Sequence, residues 1–193
     1  MEYKETITNE EVEALPLLEY HDGKIVLVDT VRDAFAACNE LSKATVLGFD
    51  TETRPSFKKG VSYKIALMQI SMGNVCYLFR LNKIGVPQCL NDVLSNSKIL
   101  KVGLSLKDDF HQLRRRKDIP LDGFYDIQKH ISAVGIKELS LRKIYAIMFG
   151  KRISKSQRLT NWEAETLDAK QQMYAAIDAW ACVEIYNKLM YNV

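Results

Sequence analysis

The sequence predicts one α/β domain, a mixed sheet of five strands, three antiparallel and two parallel, flanked by helices. Three observations predict it. Apolar, β-branched runs recur through the first half; the middle runs are joined by short connections, which only antiparallel neighbours permit; and the second half is dominated by segments of helical periodicity.

The elements follow in order. Residues Lys24 to Thr30 (KIVLVDT) read as a strand, and Thr30 caps the amphipathic helix VRDAFAACNEL. Three further strands are expected at Thr45–Thr53, Tyr63–Ser71 and Asn74–Leu81, the last two joined by a tight turn at Met72-Gly73-Asn74. A short helix follows Pro87, then a fifth strand at Lys98–Leu104. Ser105 with Asp108 three residues on has the spacing of a capping box for SLKDDFHQLRRR. From there to the end the chain reads helical, including Leu139–Phe149 and the long Ala169–Met190 segment, which Asp168 can cap. Residues 1–20 form an acidic extension ahead of a single domain over 21–193. Internal repeats and low-complexity tracts are absent.

Composition narrows the function class. At 193 residues, 47% hydrophobic and 26% charged, the chain is neither disordered nor fibrous. No apolar stretch reaches the ~18 residues a membrane span needs, and the N-terminus is acidic where a secretory signal would be basic, so a soluble, cytoplasmic protein without membrane contact is expected. Cys38, Cys76, Cys89 and Cys182 form no C-x-x-C pair, and His21, His111 and His130 stand at no zinc-ligand spacing. These thiols are expected free and mostly buried, and the histidines non-catalytic. The net charge is +3, yet residues 1–20 hold six Glu against one Lys. Lys98–Lys117 and Lys137–Arg158 each hold seven Lys or Arg, a footprint that suits either a polyanion or solvated helix faces. The acidic start either shields that surface or serves as a solubilising arm.

Carboxylates carry the chemistry. Asp50 and Glu52 alternate in an apolar strand and so leave it on one side, where two like charges call for a hard cation with oxygen ligands. If instead the strand stops at Phe49, both acids are turn caps in solvent. Tyr174 and Asp178 are four apart, stacked on one face of the last helix among small alanines. Asp109 follows the fifth strand, with Asp108 about 100° around the same helix.

Taken together, FDTE (Phe49–Glu52), LKDDFHQL (Leu106–Leu113) and YAAID (Tyr174–Asp178) resemble the three ordered motifs of the DEDDy 3′-5′ exonucleases, and Lys155 to Trp180 resembles the ribonuclease D and Werner-syndrome-helicase exonuclease branch. The resemblance runs from Lys24 to Leu189. It implies a ribonuclease-H-like fold and a metal-dependent exonuclease acting on single-stranded 3′ ends of DNA or RNA and releasing 5′-monophosphates. By position, Asp50, Glu52, Asp109 and Asp178 would hold two divalent ions, Mg²⁺ or Mn²⁺, and Tyr174 would orient or help deprotonate the attacking water. Asp109 is chosen over Asp108 because Leu113, four residues on, matches the family's apolar position. Thr51 is expected to offer its backbone N–H to the terminal nucleotide, Lys155 and Arg158 to contact phosphate, Trp162 to anchor packing, and Asp126 to stand behind the site. The length leaves no room for a helicase, polymerase or helical nucleic-acid-binding domain, so a stand-alone nuclease domain is expected. The rival is a catalytically silent nucleic-acid-binding module of the same fold.

Overall fold

The computed structural model describes residues 3–20 and 22–191, so His21 and both chain ends lie outside the described residues. The element order is α1 (Asn9–Glu13), β1 (Lys24–Val28), α2 (Val31–Leu41), β2 (Val46–Thr53), β3 (Ile65–Met72), β4 (Val75–Phe79), α3 (Leu81–Ile84), α4 (Gln88–Ser95), β5 (Leu100–Gly103), α5 (Leu106–Arg114), β6 (Phe124–Asp126), two 3-10 turns, α6 (Leu141–Phe149) and α7 (Ala169–Tyr191). The strands form one sheet in the order β1-β4-β3-β2-β5-β6. β2, β3 and β4 are the antiparallel centre, while β1 adds parallel to β4 and β5 parallel to β2, as expected.

Among the described residues the sheet has six strands rather than five. β6 pairs parallel with β5 through three residues, too short and too close to Gly123 for periodicity to reveal. The expectation of continuous helix after Ser105 also fails: residues 150–168 are irregular, and their short polar groups bond locally. Ser156 N donates to Ser154 Oγ at 3.2 Å, Glu163 N to Asn161 Oδ1 at 3.1 Å and Thr160 Oγ1 to the Gln157 carbonyl at 2.8 Å. Among the described residues no helix is long and apolar enough to cross a membrane.

Two cores form, one on each face of the sheet. α6 and α7 cover one face, where Ala175, Ala179, Trp180 and Ile185 meet Leu67, Leu78 and Val102. α2, α4 and α5 cover the other, with Leu41, Leu94 and Leu113 on Phe49, Met68 and Ile70. Thr30 caps α2 by accepting from Asp33 N. Asp168 and Gln171 cap α7 reciprocally, at 2.8 and 3.1 Å.

The acidic N-terminal segment lies on the domain. Val12 is fully buried against Ala146, and Leu17 bridges to Arg152. Its acids pair with the basic run: Glu5 with Lys137 at 2.7 Å, and Glu13 with Arg142 and, at 3.7 Å, with Arg152. Part of the 137–158 charge is thereby already paired within the chain.

Candidate active site

The site is assembled where β2 outruns its parallel neighbour. β5 pairs with β2 only along Val46–Gly48, so Asp50, Thr51 and Glu52 extend beyond it while still opposite Gln69, Met68 and Leu67 of β3. Alternation sends Asp50 and Glu52 toward α7 and Thr51 toward α5, the side on which Phe49 is also packed.

Gly48 sets the distance to α7. A methyl group there would lie 2.0 Å from the Ala179 carbonyl oxygen and 2.2 Å from Ser71 Oγ, so the helix backbone rests directly on β2 two residues before Asp50. The buried Ala175, Ala176 and Ala179 permit the same approach from the helix side. Asp178 is thereby brought to the strand acids: one carboxylate oxygen from each of Asp50, Glu52 and Asp178 lies within 4.8 Å of the others.

Asp109 stands beside this trio, reaching it from the opposite face in the first turn of α5. Its carboxylate accepts a hydrogen bond from the Thr51 hydroxyl. Asp108 is exposed, whereas Asp109 is half-buried, which favours Asp109 on geometry. Thr51 presents its hydroxyl to Asp109, on the side of β2 away from the two strand acids.

The capping box expected at Ser105 is absent. Ser105 has φ +61°, a left-handed conformation in which its side chain makes no cap bond. Asp126 at the end of β6 takes over, accepting from Ser105 N at 2.8 Å, Leu106 N at 3.2 Å and Gln128 N at 3.1 Å. A buried carboxylate thus holds the N-terminus of the helix that carries Asp109. That role depends on an unforeseen strand and had no local signal in the sequence.

The acids are short of positive charge. Burial, then the charges of Asp178, Asp109 and Glu52, push Asp50 well above the usual carboxylate range. Burial followed by Asp178 and Asp109 pushes Glu52 up to about 9, against the pull of Arg158. Burial raises Asp178 to about 7, and it raises Asp109 to about 6 despite the Thr51 hydrogen bond. Four carboxylates that cannot all ionise in metal-free protein, three of them converging, are the donor set of a hard divalent cation. The residues present fit such a group.

Tyr174 lines a cleft of about 180 Å³ together with Asp50, Asp178, Lys155 and Arg158. Burial and the charges of Asp178, Glu52 and Asp50 drive its hydroxyl upward, so the phenol keeps its proton. Its ring lies 6.0 Å from that of Trp162, which is fully buried as an anchor. Lys155 and Arg158 are exposed on the cleft's rim. His111 and His130 are exposed as well, His130 stacked on Tyr125. Sequence reasoning passed over Gln69, opposite Asp50 in the pairing register and fully buried. Its signal was a lone amide inside the apolar run IALMQIS.

A family model described as 3′-5′ exonuclease matches residues 25–193. The chain belongs to the 3′-5′ exonuclease family. Similar to this exonuclease domain are the bifunctional 3′-5′ exonuclease/ATP-dependent helicase WRN of Mus musculus, 32% identical over 91% of this chain and 13% of that protein, and a 3′-5′ exonuclease of Arabidopsis thaliana, 30% identical over 97% of this chain and 62% of that protein. The chain therefore spans less than two thirds of either relative. The fold matches that of Trypanosoma brucei RNase D in complex with RNA U12, with a TM-score of 0.75 at 20% identity over 88% of this chain and 63% of the other. The DEDDy assignment and the ribonuclease-H-like fold read from the sequence hold.

Proposed function

We propose that this domain hydrolyses the terminal phosphodiester of single-stranded DNA or RNA from the 3′ end, one nucleotide at a time, with divalent cations at Asp50, Glu52, Asp178 and Asp109. The observation that carries the reading is the convergence of three carboxylates on one point, Asp178 buried and Asp50 and Glu52 half-buried, with Tyr174 in the same cleft. Two ions, Mg²⁺ or Mn²⁺, would supply Lewis-acid stabilisation of the attacking and leaving oxygens and acidify a water. The protein's own groups do the rest. The Thr51 hydroxyl holds Asp109, and the Tyr174 hydroxyl, in the cleft with Asp50 and Asp178, would orient the water by hydrogen bonding. Lys155 and Arg158, which line the cleft and are exposed, would meet the phosphates that the acids repel. The nucleic-acid complex of the structural relative supports the substrate class.

The test is a time course on 5′-labelled single-stranded DNA and RNA with Mg²⁺, Mn²⁺ or EDTA, alongside Asp50→Asn. A ladder shortening from the 3′ end that needs metal and is lost in the variant is expected. A folded wild-type protein that leaves both polymers intact in either metal would overturn the reading in favour of a binding module.

A further inference from the structure

The β2–β3 connection, residues 54–64, borders a second groove of about 540 Å³, lined by Arg54, Phe57, Lys58, Tyr63, Leu159 and Asn161 among others. Its apolar side chains are turned to solvent: Phe57 is 83% exposed, Leu159 65% and Val61 43%. Around them Lys58, Lys59, Lys64 and Arg115 are exposed and, among the described residues, join no ion pair, unlike the shielded cations of the 137–158 run. The groove is braced from beneath. Arg54 lies 4.9 Å over the Tyr63 ring and bonds Glu163 at 3.4 Å, and Arg115 donates to Ser62 Oγ at 3.1 Å, tying the loop to α5.

Exposed apolar side chains gathered at one groove mark a surface that a ligand covers, and a ring of unpaired cations specifies an anionic ligand. Flat apolar faces repeated along a polyanion are the chemistry of a single-stranded nucleic acid, whose bases stack on aromatic rings while lysines meet its phosphates. The groove also neighbours the cleft along the chain. Arg54 follows Glu52 by two residues, and Leu159 follows Arg158, which lines the cleft itself. We infer that the groove takes the bases lying upstream of the 3′ terminus, with Phe57 as the stacking platform and Lys58 and Lys59 on the backbone. This rests on the exonuclease reading for its direction, but binding reads it independently of cleavage.

The experiment uses the full chain and 5′-fluorescein-labelled dT10 and U10, measured by anisotropy with Ca²⁺ across a salt series. Phe57→Ala is expected to weaken binding about tenfold and Phe57→Trp to restore it, since a stacked base is sequence- and ring-tolerant. The Lys58→Ala/Lys59→Ala pair is expected to flatten the slope of log Kd against log salt by roughly 1.4. In the presence of Mg²⁺ the preference for decamer over dinucleotide, as a ratio of kcat/KM, should fall about tenfold in Phe57→Ala. Phe57 is on the surface, so its variants should melt with the wild type. Wild-type affinity and length preference in Phe57→Ala would overturn the inference and hand the groove to an acidic protein partner. Intact oligonucleotides with wild-type protein would fault the catalytic reading instead, while anisotropy still decides the groove.

Discussion

Two kinds of buried charge sit in this sheet, and they are treated in opposite ways. Lys101 on β5 is fully buried, but its ammonium donates to the Asn96 carbonyl at 2.7 Å and lies 5.0 Å over the Phe124 ring. Arg80, just past β4, is equally buried and donates to the Ala164 and Glu165 carbonyls. The acids of β2 and α7 receive no such closure. The Thr51 hydroxyl reaches Asp109, and an exposed Arg158 draws on Glu52 from the rim. Where charge only builds the fold, the protein neutralises it with its own oxygens; where charge is left unanswered, the partner comes from outside.

The sharpest way to break this contrast is to remove one unanswered charge. Asp178→Asn should lower turnover by roughly a thousandfold through lost ion binding, while raising the melting temperature in EDTA at pH 8 by about 3 °C as like-charge repulsion is relieved. A drop in both, followed by calorimetry and a label-release assay, would mean that Asp178 is a structural group like Lys101. Tyr174→Phe should cost about a hundredfold in kcat with KM near wild type, because the hydroxyl orients water without holding the strand. Undiminished kcat in steady-state assays would remove Tyr174 from the chemistry.

Titration follows next in size. The folded acids titrate higher than the unfolded chain's, so the native state holds the extra protons and metal-free stability falls as pH rises. The decline runs from about 4 to about 6 for Asp109, to about 7 for Asp178 and to about 9 for Glu52. Saturating Mg²⁺, at about a hundred times its Kd, should restore about 2.7 kcal/mol. The metal-induced melting shift should therefore grow between pH 5 and 9, and a flat profile by scanning fluorimetry would contradict the buried-acid account. The smallest effect is expected at the answered charge. Lys101→Met should change stability by about 1 kcal/mol or less at pH 7. Burial holds the Lys101 amine down at about 8, so the unfolded chain binds the extra proton above that value. Wild-type stability then gains with pH toward the free-lysine range, and any advantage of the methionine should fade there in denaturant titrations.

Most of the site was legible because its signals are local. D-x-E in a strand and Y-x-x-x-D in a helix place side chains through periods of 2 and 3.6, which need no tertiary knowledge. The antiparallel centre was equally plain from the Met72-Gly73-Asn74 turn, realised with Gly73 at φ +56°. What stayed hidden depends on contacts far apart in sequence. Asp126 caps a helix that begins 20 residues before it, and Thr51 bonds an acid 58 residues away. Gly48 looked like an ordinary strand residue until α7 was laid on it. The packing of residues 3–20 escaped because its five-residue helix depends on Val12 finding Ala146.

The four acids belong to three separate layers: β2 in the sheet, α7 on one face and α5 on the other. An ion seated among them would act as a rivet through the molecule, joining at its edge two helical layers whose cores do not otherwise meet there. Slow opening of that edge, visible as deuterium uptake along the first turn of α5 and the middle of α7, would then be governed by cation occupancy. Catalytic readiness and local rigidity would rise and fall as one property.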